Sequence, residues 1–168
     1  MNSSNAEDIV RSLGHLTLGT RLRRLGERLQ AQTQRILEAH GVAVPAGQLP
    51  LLAALERAGP RTIGELAAAL GVTQPAATRT VGQLARAGLI DITRAAGDQR
   101  RKQVTLSSAG RRVVAHGKRT VWPKVQAAVE DACSDLRGSL LKQLAALEDT
   151  LDERPLERRV AARPRSRR

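Results

Sequence analysis

The chain has 168 residues, with 28 Lys and Arg against 16 Asp and Glu, for a formal net charge of +12. It holds one cysteine, one tryptophan and no Phe or Tyr, so an intramolecular disulfide is excluded and a zinc cluster disfavoured. The lack of aromatic stacking platforms also argues against a single-strand binder. No apolar run reaches the length of a membrane span, and the opening MNSSNAEDIV has neither a basic leader nor an apolar core. The expectation is a cytoplasmic protein with no membrane partner.

From Asp8 to His40 the sequence predicts one long amphipathic helix, with Leu18, Leu22, Leu25, Leu29 and Ile36 at three- and four-residue steps. Most of that stripe is expected to be packed, yet the helix is long for so small a core, which suggests a partner chain. After the connector GVAVPAG, QLPLLAALERAG reads as a short helix with Pro50 near its first turn, where a missing N–H costs least. In RTIGELAAALG, Thr62 and Glu65 have the spacing of a capping box and Gly71 ends the helix. The next helix starts two residues later with Thr73 as N-cap and Pro75 in its first turn, and runs to Ala87 before Gly88. Ala77, Val81 and Leu84 are expected to face inward, leaving Thr78, Arg79, Thr80 and Gln83 mostly outward.

After Gly88 the apolar period changes from 3.6 to 2. Ile90 and Ile92 share one face, as do Val104 and Leu106, and AAGDQRR between them reads as the tip of a hairpin. From Ser107 the chain is helical again through Cys133, with Gly117 and Pro123 as sites for a kink or break. A last helix is expected from about Ser134 to Leu151, carrying Leu136, Leu140, Leu144, Leu147 and Leu151. Residues 153–168 are expected to form a disordered basic tail.

Two short helices joined by a glycine turn, followed by a hairpin, form a winged helix-turn-helix, whose second helix enters the major groove of a duplex. The charge distribution agrees. Residues 61–119 hold eleven basic and three acidic side chains, a net +8, while residues 120–153 hold three basic and seven acidic ones, a net −4. Positive charge gathered on one module points to a polyanion partner. The fold class expected is mainly α with a small β-hairpin wing. There is no nucleophile–base pairing, phosphate loop or metal-ligand spacing, so an enzyme is not expected and no cofactor is implied.

The wing run GDQRRKQVTLSSAG resembles that of the MarR family of bacterial transcription regulators. Asp98, Arg100, Val104, Leu106 and Gly110 fall at the family's spacings, with Ser107 in place of the usual Thr. Thr78-Arg79 stands where the family commonly has Ser-Arg, and Leu84 with Gly88-Leu89 closes the helix. One departure is Ala95, where the family often has an acid that braces the wing. The resemblance implies a single domain over residues 8–152, with a DNA-binding core at 46–106. It also implies homodimerisation through helices 8–40 and 107–152, and repression of transcription released by a small-molecule effector.

The candidate recognition-helix residues are Thr73, Gln74, Ala76, Thr78, Arg79, Thr80 and Gln83. Arg suits guanine O6 and N7, Gln suits adenine, and Thr suits phosphate or a thymine methyl. In the wing, Arg100 is the candidate for the minor groove, with Asp98 anchoring it or the turn. Arg101 and Lys102 suit phosphate, and Gln99 joins them as a candidate. The bland alternative for both sets is a solvated helix face and a salt-bridged turn. Cys133 reads as a structural thiol, and His15, His40 and His116 as ordinary surface or core histidines. The Arg-rich tail and high charge leave an alternative function, an architectural or weakly specific DNA-binding protein.

Overall fold

The computed structural model describes the backbone of residues 7–95 and 98–161, and the side chains of 7–93 and 102–160. The elements are α1 (Ile9–Ser12), α2 (Leu18–Ala39), α3 (Leu49–Ala58), α4 (Ile63–Leu70), α5 (Gln74–Arg86), β1 (Ile90–Ala95), β2 (Asp98–Leu106), α6 (Ser108–Thr120), α7 (Trp122–Ala132), α8 (Leu140–Glu153) and α9 (Leu156–Ala161). Single 3-10 turns occupy Gly14–Thr17 and Ala46–Gln48. The chain forms two compact units, one ending at Val125 and the other beginning at Gln126.

In the first unit the expected helix from Asp8 to His40 is broken. Gly14 takes φ +57°, which reverses the chain, and the Thr17 hydroxyl donates back to the Val10 carbonyl at 2.6 Å. Asp8 caps α1 and grips Arg24 on α2, so the short helix folds against the long one. The leucine stripe is also less buried than its period suggests. Leu37 is fully buried, but Leu22, Leu25 and Leu29 remain 38–45% exposed. The end of α2 follows its sequence signals. Gly41 has positive φ, its N–H bonds to Glu38 O at 3.1 Å, and Val42 N–H bonds to Leu37 O at 2.9 Å. That is a Schellman stop, closed by burial of both Leu37 and Val42.

The core gathers Leu37, Val42 and Val44 with Leu51, Leu52 and Leu55 of α3, Leu66 of α4, and Val81 and Leu84 of α5. Ile90, Val104 and Leu106 of the hairpin and Val114 of α6 complete it, together with Val121. Pro50 lies in the first turn of α3. The capping box is present: Thr62 Oγ1 accepts from Glu65 N at 3.2 Å, and Glu65 Oε2 accepts from Thr62 N at 2.7 Å.

β1 and β2 pair antiparallel, with Ile90 opposite Leu106 and Ile92 opposite Val104. Arg61 adds a one-residue third strand, donating to Val104 O at 3.1 Å and accepting from Val104 N at 2.8 Å. Of the expected inward residues Ile90, Val104 and Leu106 are buried. Ile92 is 45% exposed, although Val104 opposite it is fully buried.

Between α6 and α7 the helix stops at Val121, where Trp122 folds against Gly117. A Cβ at Gly117 would lie 2.7 Å from Trp122 Nε1, so the break uses both residues.

In the second unit, the last long helix begins at Leu140 rather than near Ser134. Gly138 has φ +75° and the Ser139 hydroxyl caps Lys142 N, which leaves Leu136 outside the helix. Part of the tail expected to be disordered, Leu156–Ala161, is helical, and residues 162–168 lie outside the described residues. There the Arg159 guanidinium donates to Thr150 O at 2.6 Å and Arg154 O at 2.7 Å. No helix among the described residues is long and apolar enough to cross a membrane.

Candidate nucleic-acid interface

The geometry of α5 follows from which of its residues are apolar. Ala77, Val81 and Leu84 lie at i, i+4 and i+7 and are 0–1% exposed, so the helix is fixed in rotation about its axis. Thr73 is its N-cap, accepting from Ala76 N, and Pro75 occupies the first turn. Gln74, Ala76, Thr78, Arg79 and Gln83 are left exposed, and Thr80 is half-buried at the edge. Arg79 follows Ala77 by two residues, which at 3.6 residues per turn puts it on the side away from the core. The helix contains no Asp or Glu, and Arg79 forms no ion pair among the described residues.

The hydroxyls of Thr78 and Thr80 donate to Gln74 O at 2.8 Å and Ala76 O at 3.1 Å. This fixes both rotors and leaves their lone pairs and methyls for contacts. Gln83 Oε1 accepts from Gln48 Nε2 at 2.9 Å, so its amide is oriented by the turn before α3. Sequence reasoning missed Arg86. It is exposed, and it lies seven residues after Arg79, nearly two turns along the same outward strip. The signal was the seven-residue spacing, obscured because Arg86 also reads as a last-turn cation.

Three joints hold this helix relative to its neighbours. Its end is a second Schellman stop, with Gly88 N bonded to Ala85 O at 2.9 Å and Leu89 N to Leu84 O at 3.0 Å. The Arg61–Val104 bridge ties the entry of α4 to β2. Ser107, 8% exposed, connects α5 to α6. Its hydroxyl donates to Gly88 O at 2.6 Å and accepts from Gly110 N at 3.0 Å, and its own N–H reaches Leu89 O. Ser107→Ala removes a helix cap and leaves the Gly88 carbonyl without that donor. We expect a loss of about 1–2 kcal/mol in urea unfolding, whereas Ser107→Thr keeps both bonds and should cost less.

In the wing, Lys102 is exposed on β2, paired in register with Arg94. The backbone of Asp98, Gln99, Arg100 and Arg101 belongs to β2, and their side chains lie outside the described residues. Of the remaining candidates, His40 and His116 come together: His116 Nε2 lies 3.3 Å from His40 O, and Lys124 Nζ donates to His40 Nε2 at 2.7 Å. His40 Nδ1 faces Ile36 O at 2.8 Å, so the ring is a capped helix end. Cys133 is a free, half-buried thiol. Among the described residues no group of His, Cys, Asp and Glu is placed to hold a metal ion.

Residues 40–101 match the model of the MarR family, the stretch that runs from the end of α2 through both helices of the turn into the wing. The module thus resembles that of the MarR family over this stretch. Members of this family are transcription regulators, not enzymes. Solved MarR-type structures share the fold beyond the matched stretch. BpsR of Bordetella bronchiseptica, whose DNA binding is regulated by 6-hydroxynicotinic acid, superposes with a TM-score of 0.64 at 21% identity, over 80% of this chain and 92% of its own. The transcriptional regulator BldR of Sulfolobus solfataricus gives 0.62 at 22% identity, over 88% and 99%. MarR of E. coli in its apo form gives 0.57 at 20% identity, over 81% and 95%. No curated protein matches the sequence. The MarR-type winged helix is therefore the observed fold, mainly helical with one two-stranded hairpin among the described residues.

Proposed function

We propose that the protein is a sequence-specific regulator of transcription that binds double-stranded DNA as a homodimer, with α5 in the major groove and the wing beside it. The observation that carries this reading is the outward strip of α5: free of acids, centred on Arg79, and fixed in rotation by Ala77, Val81 and Leu84. Thr73, Gln74, Ala76, Thr78 and Gln83 surround that Arg, with Thr80 at the edge. In the wing Asp98, Gln99, Arg100, Arg101 and Lys102 complete the proposed interface, Arg100 in the minor groove and Arg101 and Lys102 on phosphate.

Dimerisation is supported by the apolar stripe of α1 and α2. Ile9 of α1, Leu13 and Leu16 of the connecting turn, and Leu22, Leu25 and Leu29 of α2 are 38–83% exposed, apolar surface suited to burial against a second chain. Helices within 8–40 and 107–152 are the proposed dimer scaffold, flanking the DNA-binding core of 46–106. In the finer reading the protein is a cytoplasmic repressor. A small molecule releases it by favouring a dimer geometry that spaces the two recognition helices wrongly.

Competition gel shifts test this reading. Duplex from upstream of its own gene should compete at least about tenfold better than random duplex, given the usual gap between specific and non-specific affinity. Equal competition would favour the second reading, an architectural protein of little sequence preference, for which the arginines of residues 154–168 speak. Part of that tail is already committed to its own backbone through Arg159.

A further inference from the structure

We propose that the cleft between α1 and α2 binds a compact polyvalent oxyanion, with Arg11, Arg21 and Arg28 as its ligands and Arg24 as their positioned neighbour. The cleft has a volume of about 230 Å³ and is lined by Asp8, Arg11, Arg21, Arg24, Leu25 and Arg28. Four guanidiniums thus surround one carboxylate. None of these residues belongs to the DNA interface described above, whereas Leu25 also belongs to the apolar stripe proposed to pair two copies, so the cleft borders that surface.

The sequence assembles the cluster in two steps. Arg21, Arg24 and Arg28 recur at i, i+3 and i+7, which places them on one strip of α2. The reversal at Gly14, with φ +57°, then brings α1 and its Arg11 back against that strip. Arg23, on the same helix, is separately engaged with Glu27 at 3.8 Å.

Asp8 and Arg24 pair as a two-pronged fork, Nη1 to Oδ1 at 3.0 Å and Nη2 to Oδ2 at 2.6 Å. That contact shows Arg24 presenting its guanidinium fork to a carboxylate in bidentate geometry. The hydrogen bond from Arg24 holds the Asp8 carboxyl below its ordinary pKa, with Arg11 adding to the effect. Asp8 therefore stays ionised at neutral pH and spends its charge on Arg24. Arg11, Arg21 and Arg28 form no ion pair among the described residues, which leaves three positive charges lining the cavity. A ligand bearing one charge would leave most of this positive charge unmatched. A di- or trianion small enough for the cavity offsets it, and guanidiniums suit both phosphoryl and carboxylate oxygens.

Calorimetric titration of the full chain with inorganic phosphate and with citrate, each at ionic strength matched by NaCl, tests the assignment. One saturable site per chain is expected for at least one of them, and the preferred anion tells whether the natural ligand is of phosphoryl or polycarboxylate type. The double variant Arg21→Gln, Arg28→Gln should weaken that binding at least tenfold, while Arg23→Gln leaves it unchanged. Absence of a saturable site for both anions overturns the proposal. So does equal affinity in the double variant, which would put the binding elsewhere on the chain. Sedimentation supplies a third arm. If the double variant falls apart into monomers in anion-free buffer while the parent protein takes up neither anion, the arginines serve carboxylates of a second copy, and the proposal fails.

Discussion

Gly110→Ala is expected to destabilise the protein by about 3 kcal/mol or more, the upper end of the range for overpacked sites. A Cβ at this position would lie 2.0 Å from the Leu89 carbonyl oxygen and 3.3 Å from Leu106 Cδ2. The first contact is with backbone, so no rotamer change relieves it. The neighbouring bonds from Ser107 to Gly88 and Leu89 hold that backbone in place, so α6 and the end of α5 must separate. Urea unfolding followed by circular dichroism measures the loss, with Gly82→Ala as control: Gly82 is helical and nothing lies within 4 Å of its added Cβ, so that change should stabilise slightly. The same joint matters for function, because it links the recognition helix to α6. A variant that survives folding with this joint loosened should lose DNA affinity without any change at the interface.

Arg79→Ala is expected to weaken specific DNA binding by about 1–3 kcal/mol, which is roughly 5- to 150-fold in Kd, while dimerisation and unfolding stay unchanged. Its exposure, its place opposite the buried strip of α5 and the absence of acids from that helix make it the leading candidate to read bases. Arg100→Ala should cost a similar amount through the wing. Arg86→Ala gives the informative contrast. As a phosphate partner Arg86 should weaken specific and random duplex alike and lower the salt slope by about 1. Fluorescence anisotropy at several salt concentrations separates the two behaviours. If Arg79→Ala weakened random duplex as much as the preferred site, Arg79 would be a phosphate contact and the base-reading role would pass to Gln74, Thr78 or Gln83.

The central module was legible in the sequence because its signals are local. Thr62 with Glu65, Gly71, Thr73 with Pro75, and Gly88 are cap and stop residues that act within one turn of themselves, and each is where the sequence put it. The inward set of α5 was equally legible, since three apolar residues at i, i+4 and i+7 leave one orientation. What escaped depends on contacts distant in sequence or on single glycines. The break before α2 needs Gly14 and the Asp8–Arg24 fork, sixteen residues apart. Leu22, Leu25 and Leu29 follow a core period yet stay exposed, because periodicity marks an apolar face without saying which molecule covers it. Leu136 keeps the heptad-like spacing of the last helix, and the turn at Gly138 excludes it all the same. Residues 156–161 have the composition of a tail, but carbonyls of Thr150 and Arg154 give Arg159 partners that composition does not reveal.

Selection of duplexes from a random library by the purified full chain tests the central claim most directly. An inverted repeat whose half-sites lie about one helical turn, roughly 10 base pairs, apart centre to centre should be enriched, and Arg79→Ala should abolish that enrichment. A selected pool without a shared motif, bound no better than the starting library, would contradict the claim.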